Sequence, residues 1–175
     1  YGIIKGKNFF DLSTFVKKKN FFLDTSPTYK NSDLFFKKIG PNYEKIISKI
    51  PHIKKDLNFE KVFKKNIERV YSFSNSKKIY AILLHDSSSL KNKKKRDVIF
   101  SEINQLKSKK LLKKFGVSVY SVKELKDVLK IFKPEIVQLP ISIINQTFLD
   151  NNFLKNLKKK KIEIHARSIF LQGLL

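Results

Sequence analysis

Along the chain, short apolar runs alternate with longer segments in which apolar residues recur every three or four positions, the periods of strands and helices. Phe9, Phe10, Leu12, Phe15 and Val16 predict a helix at about 9–19. "NFFLDTS" then reads as a strand ending near Asp24, "SDLFFKKI" as a short helix, and "YEKIISKI" (43–50) as a second strand. Residues 58–74 place Phe59, Val62, Phe63, Ile67, Val70 and Tyr71 on one helical face, and "KIYAILLHD" (78–86) is a strand apolar on both sides. A helix over 95–114, with Val98, Ile99, Ile103 and Leu106 in register, leads to the strand "FGVSVYS". "SVKELKDVLKIF" is the next helix, started by a capping box of Ser121 and Glu124. The strand "EIVQLPIS", a helix over 149–161 and the strand "KIEIHARSIF" complete the pattern.

The order is a helix, then strand and helix five times, then a strand. Such alternation predicts parallel strands with helices outside, an α/β architecture. An open doubly wound sheet and a closed barrel both fit the count. No G-x-G-x-x-G follows any strand, which disfavours the dinucleotide-binding open sheet, and buried strands at even spacing favour the barrel.

Composition narrows the function classes. With 175 residues, 41% hydrophobic and 30% charged, the chain has the make-up of one globular domain, and residues 1–175 are expected to form it. The absence of Cys excludes disulfides and thiolate metal sites, and no metal site is expected. Apolar runs such as "IYAILL" are too short to cross a bilayer and no leader precedes them, so a cytoplasmic protein without membrane partners is expected. The formal charge of +23, concentrated in "KNKKKR" (91–96) and "KKKK" (158–161), invites a nucleic-acid reading. However, only Arg69, Arg96 and Arg167 are arginine among 38 basic residues. Bidentate phosphate grip favours Arg, and no aromatic residues interleave with either cluster to stack bases. A solvated Lys-rich surface is the expectation.

Barrels of this class build their sites at the carboxyl ends of strands. Reading those ends in order gives Asp24, Tyr29 in the following loop, Lys49 and His85. Singly, each has an ordinary explanation: a turn cap, a loop phenol, a solvated amine, a structural imidazole. Together, on adjacent strand tops, they define a proton donor. A phenol titrates near 10, and an ammonium within a few ångströms favours its ionised form. Lys49 can act so on Tyr29 if Asp24 pairs with it, and His85 can orient a carbonyl oxygen. His52, after Pro51, reads as a solvated loop residue. His165, with no second imidazole or carboxylate at ligand spacing, reads as structural.

The pattern "LDTSPTYKNSD…ISK…LLHD" resembles the aldo/keto reductases, NAD(P)H-dependent enzymes on an (α/β)8 barrel. The resemblance implies Tyr29 as general acid, Lys49 and Asp24 tuning it, and His85 positioning substrate. It continues through "GVSVYSVKEL", "IVQLPIS" and "HARSIFLQGLL". It thereby implies that Ser118 and Gln138 contact the nicotinamide amide, and that Ser168, Leu171, Gln172 and Gly173 hold the pyrophosphate. Arg167 falls where many members place an aromatic residue under the nicotinamide ring, Val119 where Asn is frequent, and Lys30 where Gly is common. The implied cofactor is NADP(H) in preference to NAD(H), and the implied partner a small-molecule carbonyl substrate, with a hint of sugar metabolism.

The six strands correspond to strands two to seven of such a barrel, and the chain contains no Met. A fragment lacking the first and last strands is therefore expected, weakly active or inactive alone, with two exposed sheet edges. The alternatives are a cofactor-sensing regulatory subunit on the same barrel and, ranked last, a Lys-rich nucleic-acid-binding protein.

Overall fold

A computed structural model describes residues 7–29, 32–53, 58–149 and 151–171. Its elements are α1 (Lys7–Lys19), β1 (Leu23–Asp24), α2 (Ser32–Ile39), β2 (Ile46–Ile50), α3 (Phe59–Ser74), β3 (Ile79–Leu84), α4 (Lys93–Ser108), β4 (Leu112–Ser118), α5 (Val122–Ile131), β5 (Ile136–Pro140), α6 (Asn151–Lys159) and β6 (Glu163–Arg167), with a 3-10 turn at Ser87–Lys91 before α4.

All strand pairs are parallel, and the spatial order β1-β2-β3-β4-β5-β6 is the chain order. A doubly wound sheet reverses direction partway; this one never does. Every crossover therefore goes the same way round, and the helices share one face. That face carries the larger core, where Ile82, Leu84, Val117, Val137 and Leu139 meet Phe63, Ile67 and Val70 of α3, Ile99 and Ile103 of α4, Leu125 and Val128 of α5, and Leu157 of α6. The opposite face holds a small cluster of Ile47, Ala81, Leu83 and Ile136.

The sheet curls so that this second face becomes an interior. Asp24 of β1 and Gln138 of β5 are four strands apart, roughly 19 Å in a flat sheet. Their side chains are hydrogen-bonded at 3.0 Å. Lower down, Tyr80 Oη donates to Glu163 of β6 at 2.6 Å, and the Phe22 and His165 rings lie 5.7 Å apart. Six strands thus form a half-barrel, an incomplete (β/α) barrel, with β1 and β6 approaching each other across the gap.

Gly116 of β4 sits against Ile136 of β5. A Cβ there would lie 1.7 Å from the Ile136 carbonyl oxygen, so no larger residue fits without moving the backbone.

Some expected boundaries shift. The helix read as 95–114 ends at Ser108, because Lys110 turns left-handed (φ 55°) and Leu112 enters the core as the start of β4. The strand read from "NFFLDTS" shrinks to Leu23–Asp24, which among the described residues pair only with Ile46 and Ile47. At the capping box, Ser121 Oγ accepts from Glu124 N at 3.1 Å as expected. The Glu124 carboxylate reaches Tyr120 N and Ser87 Oγ instead, tying the start of α5 to the loop after β3.

The charge clusters lie at helix ends. Lys158 and Lys159 occupy the last turn of α6, where the helix dipole favours cations. The 91–96 run opens α4, the unfavourable end, and Asn92 caps it by accepting from Lys95 N at 3.1 Å. Among the described residues no helix is long and apolar enough to cross a membrane.

Candidate active site

Asp24 ends β1, Lys49 sits one residue before the end of β2, His85 one past β3, Ser118 ends β4 and Arg167 ends β6. Parallel strands with a single crossover sense put all of these carboxyl ends on one rim. There they line a cleft of about 480 Å³ together with Tyr29, Tyr120, Ser168, Ile169 and Phe170.

At its base, Lys49 is only 2% exposed, one of the largest fully buried side chains. Its Nζ donates to Asp24 Oδ1 at 2.6 Å and to the Thr25 carbonyl at 3.3 Å. The same carboxylate oxygen accepts from Gln138 Nε2 at 3.0 Å. Burial pushes the Lys49 pKa down; Asp24 opposes this, and the nearby Arg167 charge adds to the lowering. A buried ammonium without a counter-charge would be costly, which is why Asp24 must be adjacent.

Lys49 Nζ lies 5.6 Å from the centroid of the Tyr29 ring. The loop that brings the phenol there is fixed by its own sequence. Thr25, Ser26 and Pro27 are buried. Ser26 Oγ accepts from Thr28 N at 3.3 Å and pairs with Thr28 Oγ1 at 2.8 Å, while Tyr29 N donates to the Ser26 carbonyl at 2.9 Å, a tight Ser-based turn. From α3, Arg69 Nη2 donates to the Pro27 carbonyl at 3.1 Å and holds the loop against the helix layer. Arg69 carries no sequence signal for this role, since its partner lies 42 residues away.

His85 closes the group. Its N–H bonds to the Ile50 carbonyl at 2.9 Å, extending the β2–β3 ladder by one step and aiming the ring over the cleft. Burial lowers its pKa below 6.5, and the Lys49 and Arg167 charges push it the same way. The imidazole is therefore neutral at pH 7 and keeps one N–H to donate. Tyr120 Oη lies 3.4 Å from His85 Nε2. Tyr120 is absent from the expected site, although its position two residues past Ser118 continues the inward side of a strand.

Of the residues expected to touch a cofactor, Ser118 and Gln138 are buried side by side on β4 and β5, with Ser118 Oγ 3.4 Å from Gln138 Oε1. Ser168 and Leu171 shape the turn after β6: both have positive φ (61° and 45°), and Leu171 N donates to the Ser168 carbonyl at 3.2 Å. Ser168 lines the cleft. Arg167 lies with its guanidinium 4.2 Å from the Tyr120 ring centroid, so one of its faces is already covered. Gln172, Gly173 and Lys30 lie outside the described residues.

The other histidines are elsewhere. His52 pairs through Nδ1 with Asp86, which also caps the 3-10 turn by accepting from Ser88 N at 3.0 Å. His165, read from sequence as having no carboxylate at useful spacing, bonds Glu163 two residues earlier at 2.5 Å. Both point inward from β6, as a period of two requires. Glu163 also takes Tyr80 and Lys114, so the group is a satisfied polar layer in the lower barrel. Among the described residues there is no group of three His, Asp or Glu side chains able to hold a metal ion.

No family model matches this chain. No curated protein matches it either. Solved structures do. An aldo-keto reductase from Bacillus halodurans in its holo form shares 15% identity, with a TM-score of 0.74 over 95% of this chain and 58% of its own. An aldo-keto reductase from Klebsiella pneumoniae in complex with NADPH shares 11%, with a TM-score of 0.70 over 96% of this chain and 61% of its own. A thermostable aldo-keto reductase in complex with the inhibitor epalrestat shares 16%, with a TM-score of 0.72 over 95% and 62%. The chain thus has the fold of these aldo-keto reductases and spans about three-fifths of their length.

Proposed function

We propose that this chain is the greater part of an aldo/keto reductase barrel and that the protein catalyses NAD(P)H-dependent reduction of an aldehyde or ketone. One observation carries the reading: Lys49, buried and paired with Asp24 at 2.6 Å, lies 5.6 Å from the Tyr29 ring in the cleft that His85 lines.

In this reading the bound nicotinamide supplies a hydride to the carbonyl carbon. The developing negative charge on oxygen then needs a proton, and the Tyr29 hydroxyl delivers it. The Lys49 ammonium favours the phenolate left behind. Asp24 holds Lys49 in place and balances its charge. Neutral His85 donates its N–H to the carbonyl oxygen and fixes the substrate's orientation.

The donor set suits the cofactor. Ser118 offers a hydroxyl and Gln138 both a donor and an acceptor, the complement of a carboxamide. The Ser168–Leu171 turn, with Gln172 and Gly173 beyond it, is the candidate pyrophosphate cradle. Structural likeness to an NADPH complex supports a nicotinamide cofactor, and NADP(H) is the proposed form. The reading is tested by assaying the full-length protein with NADPH and NADH against a panel of aldehydes and ketones. Turnover of at least one supports it; cofactor binding without turnover of any would favour a regulatory role instead.

A further inference from the structure

Among the described residues, Arg167 is the one cleft-lining charge that the proposed proton donor does not use. Lys49 and Asp24 neutralise each other, and His85 is neutral, so among the described lining residues the guanidinium is one positive charge in excess. Arg167 forms no ion pair among the described residues. The only hydrogen bond its side chain makes there is from Nη2 to the Val119 carbonyl at 3.5 Å, at the limit of such contacts. Its Nε is buried and has no acceptor among the described residues. A guanidinium carries five N–H groups in a fixed planar fork, and buried donors of this kind are normally satisfied. Here one face rests on Tyr120 at 4.2 Å, which restrains the plane of the fork, while the Nε edge is left without a partner. A restrained guanidinium that lines the cleft without a counter-charge is suited to capture of an oxyanion through its Nη groups.

We infer that Arg167 is the oxyanion receptor of the cleft, and that the substrate is a carbonyl compound that also carries a carboxylate or phosphate. The inference rests on the reductase reading for the carbonyl, but not for the anion. Tyr120 is then a positioning residue: it touches both the guanidinium and His85, and so links the anion receptor to the group that orients the carbonyl.

The test compares matched substrates in the full-length protein with reduced cofactor: 4-oxobutanoate against butanal, and glyceraldehyde 3-phosphate against glyceraldehyde. The wild type should prefer the charged member of at least one pair by about tenfold or more in kcat/KM, mainly through KM. In Arg167→Met that ratio should fall towards one, with Arg167→Lys in between. Reading a ratio cancels any loss common to both members, including one that acts through the cofactor. No charged preference in either wild-type pair, or a preference that survives Arg167→Met, would overturn the inference. So would an unchanged ratio accompanied by weakened NADPH binding, because the anion would then belong to the cofactor. A protein that reduces nothing would defeat the reductase reading alone. Calorimetric titration with succinate and with inorganic phosphate would still decide the anion site, since binding of either should be lost in Arg167→Met, and binding of neither by the wild type would overturn it.

Discussion

Lys49 is buried almost completely, while the Asp24 side chain that neutralises it, 2.6 Å away, is 41% exposed. The two partners are therefore not equivalent, and their removal should have different consequences.

Asp24→Asn strands an ammonium in the barrel interior, whereas Lys49→Met strands a carboxylate that water can still reach and that Gln138 still bonds. Asp24→Asn should cost about 2 kcal/mol of stability, less than a fully buried pair would because of the exposure. Lys49→Met should cost no more than about 1 kcal/mol, since methionine fills a similar volume and avoids burying a charge. Urea denaturation of the two variants checks the order. Equal losses, or a larger one for Lys49→Met, would mean that Asp24 is not the counter-charge on which the buried amine depends.

His85 gives a pH signature. Its folded pKa lies below the ordinary value of 6.5, chiefly through burial. Between those two values the unfolded chain binds the extra proton, so this group's contribution to stability falls as pH drops through 6.5 and levels off below the folded pKa. The histidine ring resonances should titrate with a midpoint below 6.5 for His85. His85→Gln should reduce the difference in urea midpoint between about pH 7.5 and about pH 5.5. A His85 midpoint at or above 6.5 would contradict the environment described.

Gly116→Ala tests the close approach of β4 to β5. With a Cβ only 1.7 Å from the Ile136 carbonyl oxygen, β4 and β5 must separate. The expected loss is about 3 kcal/mol. Because Ser118 and Gln138 face each other across the same two strands, affinity for reduced cofactor should fall as well. An alanine variant with wild-type thermal stability would show that the two strands are further apart than described.

Much of this architecture could be read before any coordinates. The switching between periods of two and nearly four reflects burial on one or both faces, and the parallel order follows from the helices between strands. Asp24, Tyr29, Lys49 and His85 could be singled out because each interrupts or follows an apolar run with a group that handles protons. Less was legible where an effect depends on distant partners. The early end of α4 comes from a left-handed Lys110, a residue type with no preference for that conformation. Arg69 holds the Tyr29 loop from a helix far along the chain, and Tyr120 acquires meaning only when His85 and Arg167 are beside it. The Glu163 layer escaped because its members come from three strands.

The central claim is that the Tyr29 hydroxyl, beside the Lys49 ammonium, donates the proton when a carbonyl is reduced. It is tested most directly by Tyr29→Phe in the full-length protein, with single-turnover reduction and cofactor affinity measured on the same sample. The account predicts a fall in the reduction rate on the order of 10³-fold, with the dissociation constant for NADPH unchanged within about twofold. Reduction at the wild-type rate by the phenylalanine variant would contradict it.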